Sequence, residues 1–591
     1  MRLEKKLSGM TWVLLASFVV LWSLPRLRYA QEIDSKNLAI FNRWEQSDNR
    51  FFLDWADKIA DGDLLGREPN HPVHEWHILI AKKWMGDHPA EAERLKSELP
   101  PDADEKAVQQ HLWNRWYGGN QFHQEPLYPY LLAALKSLFG DAYTAGYAFQ
   151  SLLGILNGVL LFFLSRRLFG STVAVVCGIL YAFAGFLMFH EQTMLRTTAT
   201  CTMTLLLVVQ GMSLFDAPSL KKWLVFGAAT GVAILLQSIF LLFLVGFVAV
   251  YLWKSPNQRG SVLRGAAYAA LTTLVVVSPA FARNIAVGAP TFSLSSVGSV
   301  TFIASNHPTY TAAAGWNAAP EIADIVAVSE SRPSAAALAT LGAHEGVGSW
   351  VSMLINKARS ALHGVEWSGN ENYFNMTTLI PSLRWVWVDL FVLYPLGIVG
   401  LVFALRHISG SWVPALGMLL HLAVLMGLYV VGRFRAPMAI LLIPFAAWTI
   451  VEVFRAILDR HTLPWVVVVG TLIGTVFFCN VSQIRRRDET RTMEYLLHFN
   501  ENFAKPMNAF ITAKNYEPCI PMFERFFEST PDWLSDSSSA MLVSTNMRNV
   551  ATFFGDRRKN YGDMLTLLGR TSEGERQRAL AKKYYTIADV K

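Results

Sequence analysis

The chain has 591 residues, a net charge of +7, 52% hydrophobic residues and only 16% charged residues. This composition is too apolar for ordinary soluble domains, and nearly uncharged runs recur that approach the roughly 20 residues a helix needs to cross a bilayer. The basic residues form short clusters beside these runs, as on cytoplasmic flanks, so we exclude nucleic acid as a partner. The sequence therefore predicts an all-α polytopic membrane protein whose surroundings are a lipid bilayer.

The first apolar run, Met10 to Leu24, follows the basic start MRLEKK. No small-x-small cleavage site ends this run, which favours a retained signal anchor with an inside N-terminus over a cleaved signal peptide. Ten further spans are predicted near 144–165, 171–189, 198–215, 223–237, 239–253, 265–282, 386–405, 411–431, 437–454 and 464–483. The sequence thus predicts about eleven transmembrane helices.

Basic residues follow alternate predicted spans, as the positive-inside rule expects of cytoplasmic turns. They are Arg166, Arg167, Lys221, Lys222, Lys254, Arg259, Arg264, Arg406, Arg455 and Arg460. The apolar block from Trp223 to Trp253 fits this rule as two short helices that turn near Gln237 and Ser238. We therefore predict a multi-pass protein of the inner (plasma) membrane.

The alternation of basic turns places two large loops, residues 28–141 and 283–384, on the extracytoplasmic side. Both are rich in Trp, His, Asn and acidic residues, while the spans are almost uncharged. Because ionisable residues mark functional paths in membrane proteins, we expect the active site to face the extracytoplasmic side. The tail after residue 483 follows on that side, although Arg485, Arg486 and Arg487 favour the inside.

The first loop contains the stretch FFLDWADKIADGDLLG. Most of its acids read as solvated positions of an amphipathic helix. Asp54 lies between Leu53 and Trp55, close to the first span, and a carboxylate in an apolar, partly dry setting can act as a base or as a metal ligand.

Three histidines recur every three residues in HPVHEWH, namely His71, His74 and His77. Histidines at i and i+3 of a helix can share a metal, but Pro72 makes the turn irregular and no carboxylate completes a zincin motif. Metal ligation and wet interfacial histidines both stay open.

Polar groups begin the stretch FHQEPLYPYLLAALKSLFG, where His123, Gln124 and Glu125 precede Pro126. Proline suits the first turn of a helix, and the leucines that follow form an apolar stripe too short to span a membrane. We expect an interfacial helix that brings its polar foot to the mouth of a cavity.

Further charged residues lie at predicted outer turns. Glu191 and Arg196 occur in FHEQTMLRT, and Arg433 and Arg435 occur in GRFRAP. Such residues can snorkel to the headgroups, but guanidinium groups also bind phosphate through two parallel hydrogen bonds.

These pieces together resemble the GT-C class of membrane glycosyltransferases, and more narrowly the bacterial relatives of protein O-mannosyltransferases and of the lipid A aminoarabinose transferase. The resemblance covers roughly residues 10 to 480. It rests on ADGDLLG with Asp54, FHQEPLYPYLLAALKSLFG, SRRLFG, FHEQTMLRT, ARNIAVGAPTFSLSSVGSVTFIASNHP, VEWSGNENYF and VVGRFRAP in this order.

The resemblance implies Asp54 and Glu191 as catalytic residues and Arg433, Arg435 and Arg283 as ligands of the donor phosphate. It implies that a common cavity is lined by His123, Gln124, Glu125, Arg196 and Glu366. Some members of the class use a divalent metal ion and others do not, and the sequence does not decide between them. The long insertion at residues 67–121 departs from the family's commoner pattern and leaves the acceptor open.

The implied reaction moves a sugar from a polyprenyl-phosphate-linked donor to a protein, lipid or glycan acceptor, with inversion. Asp54 would be the base and the arginines would bind the departing phosphate. Two alternatives stay open. One is a transporter or flippase for lipid-linked glycans, which predicts repeats and broken charged helices that the sequence lacks. The other is a non-catalytic scaffold for envelope assembly.

Residues 1–483 form the predicted transferase domain, and residues 484–591 form a predicted soluble, helical C-terminal domain. The stretch from Phe499 to Trp533 reads like one degenerate TPR-like repeat. Because a single repeat cannot bury its own apolar face, we expect it to pack on the outward loops or on a partner.

Overall fold

The computed structural model describes residues 9–45, 47–310, 318–458, 462–479, 492–535 and 545–589, and these ranges are helical without a strand. Helix α1 spans Gly9–Ser35 and continues through Pro25. Five shorter helices follow in the first loop: α2 Asp48–Ala60, α3 Glu75–Asp87, α4 Pro89–Ser97, α5 Glu105–Trp116 and α6 Leu127–Phe139. Because α1 ends at Ser35, this loop begins later than the predicted residue 28.

The next group of helices is mostly apolar: α7 Ala142–Phe169, α8 Ser171–Ala182, α9 Gly185–Glu191, α10 Thr197–Asp216, α11 Leu220–Leu236, α12 Phe240–Lys254 and α13 Arg259–Val287. The second loop contains α14 Val297–Asn306, α15 Ala323–Ser329, α16 Pro333–Gly342, α17 Val347–Ala361 and α18 Tyr373–Leu379. The last apolar group is α19 Leu390–His407, α20 Trp412–Gly427, α21 Gly432–Leu458 and α22 Thr462–Cys479. The tail contains α23 Thr492–Phe499, α24 Lys505–Thr512, α25 Ile520–Phe527, α26 Asp532–Ser535, α27 Thr545–Leu567 and α28 Thr571–Ala588.

Six helices of the described ranges are long and apolar enough to cross a membrane, and a seventh span is formed if α8 and α9, bent by 59°, count as one. The multi-pass membrane protein is therefore confirmed. Every predicted span overlaps an apolar helix, but several of these are short, so the count of eleven stays a prediction. The span predicted at 171–189 is interrupted, because the chain bends between α8 and α9.

The block from Trp223 to Trp253 folds as the two predicted helices. Trp223 near the start of α11 stacks on Tyr251 near the end of α12, with ring centres 6.1 Å apart, and Phe226 packs against Phe247 at 5.0 Å. Contacts between the start of one helix and the end of the next require an antiparallel hairpin. The predicted turn at Gln237 and Ser238 is confirmed.

The insertion at 67–121 packs against the second loop. Ile80, Leu112 and Trp113 of α3 and α5 share one apolar core with Val300 of α14 and Val326 of α15. The two loops thus form a common helical layer over one end of the membrane helices, which we call the loop-bearing end.

The tail lies at the same end. Tyr495 and Phe499 of α23 share an apolar core with Ile33 of α1 and Met376 of α18. Arg460 and Arg485–Arg487 lie outside the described residues. The division at residue 483 and the TPR-like repeat stay predictions.

Candidate functional site

A polar cavity of about 50 Å³ lies where the N-terminal turn of α2 meets the loop-bearing ends of α10, α20 and α21. Its walls combine apolar residues with charged and hydrogen-bonding groups. The polar lining residues are Asp48, Gln124, Arg196, Thr197, Thr200, Gln237, His421, Tyr429 and Arg433. One carboxylate and two guanidinium groups give the cavity the residue types that an anionic ligand requires.

Among the described residues that line this cavity, Asp48 is the one carboxylate. The Ser47 side chain caps α2 by accepting the backbone N–H of Arg50 at 3.1 Å, which places Asp48 in the first helical turn. Asp48 Oδ2 lies 2.7 Å from Arg433 Nη2. Burial alone would raise the pKa of Asp48, but the positive charge of Arg433 and the hydrogen bonds to the carboxylate lower it to about 2.

Arg433 lies in the first turn of α21, and its side chain is only 13% exposed. Its Nη2 contacts Asp48 and the Tyr429 hydroxyl, the latter at 3.5 Å. The other two guanidinium nitrogens, Nε and Nη1, are buried and have no hydrogen-bond partner among the described residues. Buried donors are almost always paired in proteins, so this arrangement suits a ligand with several acceptor oxygens.

The second cation, Arg196, precedes α10 and is paired with Glu125 at the foot of α6. Glu125 accepts the backbone N–H and the hydroxyl of Ser238 at 2.8 and 2.7 Å and forms an ion pair with Arg196. Burial would raise the pKa of Glu125, but Arg196 and Ser238 lower it. Arg196 also donates to the Leu236 carbonyl at 3.0 Å. Of the predicted lining residues, Gln124 and Arg196 reach this cavity, while Glu125 orients Arg196.

His123 does not line the cavity. Its ring packs against Tyr117, Phe51 and His71, with ring centres 4.7, 5.3 and 5.5 Å away, and burial lowers its pKa well below the usual value. The structure thus makes His123 a packing residue behind the site.

Two of the arginines predicted to bind phosphate donate their hydrogen bonds to backbone carbonyls in this structure. Arg435 is fully buried and donates to the carbonyls of Ala361, His363 and Val365. Its nitrogens are therefore occupied in joining α21 to the chain after α17. Arg435 does not line the polar cavity in this structure, and its role as a phosphate ligand stays a prediction.

Arg283 is occupied in the same way. It donates to the carbonyls of Leu65, Asn120 and Gly66 at 2.5, 2.7 and 2.5 Å, and its guanidinium lies 3.9 Å from the centre of the Phe122 ring. Arg283 joins the first loop to the end of α13, and its role as a phosphate ligand stays a prediction.

The two predicted catalytic acids lie apart from the cavity. Asp54 is 44% exposed and forms a 2.9 Å ion pair with Arg50 one turn earlier. Glu191 is buried at the end of α9 and accepts two hydrogen bonds of 2.6 Å from Arg26. It lines a separate small cavity with Asn157 and Tyr181. A role in catalysis stays a prediction for both.

Glu366 lines a second polar cavity, which Arg433 also lines. Glu366 Oε1 lies 3.0 Å from His190 Nε2, and Oε2 is buried without a partner. A Cβ at Gly432 would lie 1.8 Å from Glu366 Oε1, so only glycine lets this carboxylate approach the start of α21. Glu366 thus lines this second cavity and is absent from the lining of the first, and its place in a common cavity with Gln124 and Arg196 stays a prediction.

The histidines of HPVHEWH are buried or half-buried and contact other groups of the first loop. His71 Nε2 contacts the Gly119 carbonyl at 2.8 Å, and His77 contacts the Tyr117 hydroxyl at 3.0 Å. Burial lowers the pKa of all three, that of His71 to about 4. Within the described ranges, no three His, Cys, Asp or Glu side chains are placed to hold a metal ion.

The sequence reading missed Asp48, Asn370, Glu371 and Tyr429 as residues of this region. The dipeptide Ser47-Asp48, a helix cap followed by an acid in the first turn, was the available signal for Asp48.

Residues 123–282 match the family model described as dolichyl-phosphate-mannose-protein mannosyltransferase. Over this range the chain is similar to a family of membrane glycosyltransferases, which confirms the predicted resemblance there. The matched range includes Gln124, Glu125 and Arg196, whereas Asp48 and Arg433 lie outside it.

Two solved structures show distant similarity. The archaeal oligosaccharyltransferase AglB from Archaeoglobus fulgidus, in complex with an inhibitory peptide and a dolichol-phosphate, is 12% identical and covers 65% of this chain and 48% of its own, with a TM-score of 0.32. ArnT from Cupriavidus metallidurans, bound to undecaprenyl phosphate, is 12% identical and covers 80% of this chain and 66% of its own, with a TM-score of 0.35.

The chain thus spans about half the length of the archaeal enzyme. These TM-scores are too low to establish a common fold. None of the curated proteins compared with the chain matches it.

Proposed function

We propose that the protein transfers a sugar from a polyprenyl-phosphate-linked donor to a hydroxyl group of a protein, lipid or glycan acceptor. The observation that carries this proposal is Arg433, whose Nε and Nη1 are buried without partners beside Asp48 and Arg196. The family similarity of residues 123–282 supports the same reaction class.

The donor phosphate would bind between Arg433 and Arg196. Both side chains line the cavity, and both are mostly buried, at 13% and 14% exposure. Guanidinium groups bind phosphate oxygens through paired, charge-assisted hydrogen bonds, which are stronger where water is excluded. The cavity lies at the ends of apolar helices, a position that a phosphate carried by a membrane lipid can reach.

Asp48 would be the base. The acceptor hydroxyl gives its proton to the Asp48 carboxylate, its oxygen forms a bond to the anomeric carbon, and the bond from that carbon to the phosphate oxygen breaks. The polyprenyl phosphate leaves with the electron pair, and its negative charge is stabilised by the two arginines. Attack opposite the leaving group inverts the anomeric centre.

The ion pair with Arg433 also suggests how Asp48 becomes basic. In this structure Arg433 lowers the pKa of Asp48, so the carboxylate is a weak base. A bound phosphate would share the charge of Arg433, and the pKa of Asp48 would then rise towards its usual value. Donor binding would therefore activate the base.

The site would face the extracytoplasmic side of the inner membrane, as the basic turns predict. Ser97 in α4 and Ser331 before α16 are exposed on the loop-bearing layer. Cysteines placed at these positions should react with an impermeant maleimide in spheroplasts. Labelling only after lysis would reverse the proposed orientation.

The decisive experiment incubates the purified protein with a panel of labelled polyprenyl phosphate sugars and candidate acceptors. We expect sugar transfer from at least one donor and release of unglycosylated polyprenyl phosphate. In a second arm, reconstituted vesicles are scored for movement of the same donors across the bilayer. Movement without transfer would favour the transporter, and neither transfer nor movement would favour the scaffold.

A further inference from the structure

Residues 366–375, which we call the site strap, lie between the start of α2 and the tail helix α23. On the α2 side, the Asn370 amide donates to Asp48 Oδ2 and to Asn49 Oδ1, each at 3.3 Å. Asn49 in turn donates to Glu371 Oε1 at 2.7 Å. The strap therefore contacts both the candidate base and its neighbour.

On the tail side, one carboxylate receives two hydrogen bonds from the strap. Glu494 of α23 accepts the backbone N–H of Asn372 at 2.8 Å through Oε1 and the amide of Asn375 at 2.9 Å through Oε2. Asn372 also caps α18, since its side chain accepts the backbone N–H of Asn375 at 2.8 Å. Glu494 thus holds the strap at the point where it turns into α18.

Burial makes this contact specific. Glu494 is only 3% exposed, and a buried carboxylate is unfavourable unless it accepts hydrogen bonds. Tyr495 next to it packs in the same apolar core as Tyr373 and Met376 of the strap and α18. If α23 moved away, the site strap would lose two hydrogen bonds and its apolar contacts with Tyr495.

We infer that Glu494 is a positioning residue, which fixes the site strap and, through Asn370 and Asn49, the placement of Asp48. The inference rests on the proposed function in taking Asp48 as the base. If the inference is right, the C-terminal segment is part of the site, because a carboxylate of the tail then fixes the position of Asp48 in the first loop.

Hydrogen exchange on the full-length protein tests this contact without any activity assay. Glu494→Gln keeps the shape of the side chain but replaces one acceptor with a donor that faces the Asn375 amide. We expect exchange of the backbone amides of residues 48–52 and 366–375 to accelerate at least about tenfold. The control is Glu501→Gln, which removes a half-buried tail acid that pairs with Lys505, and it should leave both segments unchanged.

A purely local role of Glu494 predicts a different pattern. Faster exchange confined to residues 492–512, with 48–52 unchanged, would overturn the inference. If Glu494→Gln fails to fold, Asn375→Ala replaces it. This variant removes the strap amide that donates to Glu494 and leaves the tail unchanged. This variant should accelerate exchange in 48–52 as well, and unchanged exchange there would also overturn the inference.

Kinetics separate positioning from donor binding. In Glu494→Gln we expect kcat to fall about tenfold while the donor KM stays the same, because a displaced base slows the chemical step and leaves the phosphate contacts intact. Combining Glu494→Gln with Asn375→Ala should cost no more than one of them alone, since both break one contact. If the losses in kcat of the two single variants multiplied in the double variant, this coupling would be contradicted. A wild-type protein without transferase activity would overturn the proposed function, while the exchange experiment would still decide the role of Glu494.

Discussion

The first turn of α21 sends two arginines into different regions of the molecule. Arg433 lines the polar cavity, pairs with a carboxylate and keeps two buried nitrogens without partners. Arg435, two residues later, points into the packing between α21 and the chain after α17 and donates to three carbonyls. The difference teaches that burial and charge alone do not distinguish the two arginines, whereas cavity lining and unused donors do.

The same contrast separates two acids of α2. Asp48 in the first turn is 20% exposed and lies beside Arg433, while Asp54 in the second turn is 44% exposed and pairs with Arg50 on its own helix. Only the first reaches across to another part of the fold. Asp48 therefore lies in a cavity between a loop helix and a membrane helix, where a substrate could bind.

The largest effect is expected from Asp48→Asn. If Asp48 is the base, asparagine keeps the shape and the contact with Arg433 but cannot take the acceptor proton. Turnover should fall by about 100-fold to 10⁴-fold, while polyprenyl phosphate still binds. Single-turnover assays with labelled donor measure the first effect, and equilibrium binding of polyprenyl phosphate measures the second. Full turnover in a folded Asp48→Asn protein would exclude Asp48 as the base.

A loss of stability is expected from Arg435→Met. Methionine fills a similar volume but leaves the carbonyls of Ala361, His363 and Val365 without their donors. Each unpaired buried group costs about 1 to 3 kcal/mol, so thermal unfolding in detergent should begin at a clearly lower temperature than in wild type. An unchanged melting temperature with reduced donor binding would reverse the contrast between the two arginines.

A smaller effect is expected from Arg433→Gln, in which the fold persists and the donor contact is lost. Charge-assisted hydrogen bonds contribute about 1.5 to 3 kcal/mol, so polyprenyl phosphate should bind about 10-fold to 100-fold more weakly. The matched variant Arg433→Lys keeps the charge without the planar fork and should fall in between. Equal binding by all three proteins would remove Arg433 from the donor site.

The helices were predictable because the apolar runs and their basic flanks follow from the bilayer itself. Even the hairpin at Gln237 and Ser238 followed from the basic residues at both ends of one apolar block, because both ends then lie on the same side of the membrane. The bend between α8 and α9 was not predictable, because the run 171–189 is apolar throughout and its interruption depends on tertiary packing.

The site was predictable only in part. Local sequence placed Gln124 near a cavity, since proline and an apolar stripe define where α6 begins, while the family resemblance implied the same for Arg196. It could not separate Arg433 from Arg435 or Asp48 from Asp54, because the pairing of Asp48 with Arg433 joins residues that are hundreds of positions apart and Arg435 donates to backbone carbonyls. The contacts of Arg283 are also with backbone carbonyls of a distant segment. What distinguishes these residues is the set of long-range contacts that only the folded chain reveals.

A modest pH effect is expected from Glu371. Burial, the charge of Glu494 and the opposing hydrogen bond from Asn49 together raise its pKa to about 8. A carboxyl whose pKa is raised by folding stabilises the fold fully below its unfolded value near 4.5 and loses that contribution as the pH rises through about 8.

The melting temperature of the wild type should therefore fall by a few degrees between pH 7 and pH 9. Glu371→Gln cannot ionise and should show a flatter profile over that range, as followed by tryptophan fluorescence. Parallel profiles for the two proteins would mean that Glu371 does not titrate there.

The smallest effect is expected from Asp54→Asn. Asp54 pairs with Arg50 in an exposed i,i+4 arrangement, and such pairs contribute about 0.3 to 0.5 kcal/mol. The substitution should leave turnover, donor binding and the melting temperature almost unchanged under conditions in which Asp48→Asn abolishes transfer. A drop of about 100-fold in Asp54→Asn, with normal turnover in Asp48→Asn, would restore the family-based assignment of Asp54 as the base. It would also mean that α2 rotates or shifts when donor binds, because in this structure Asp54 is not among the residues that line the cavity.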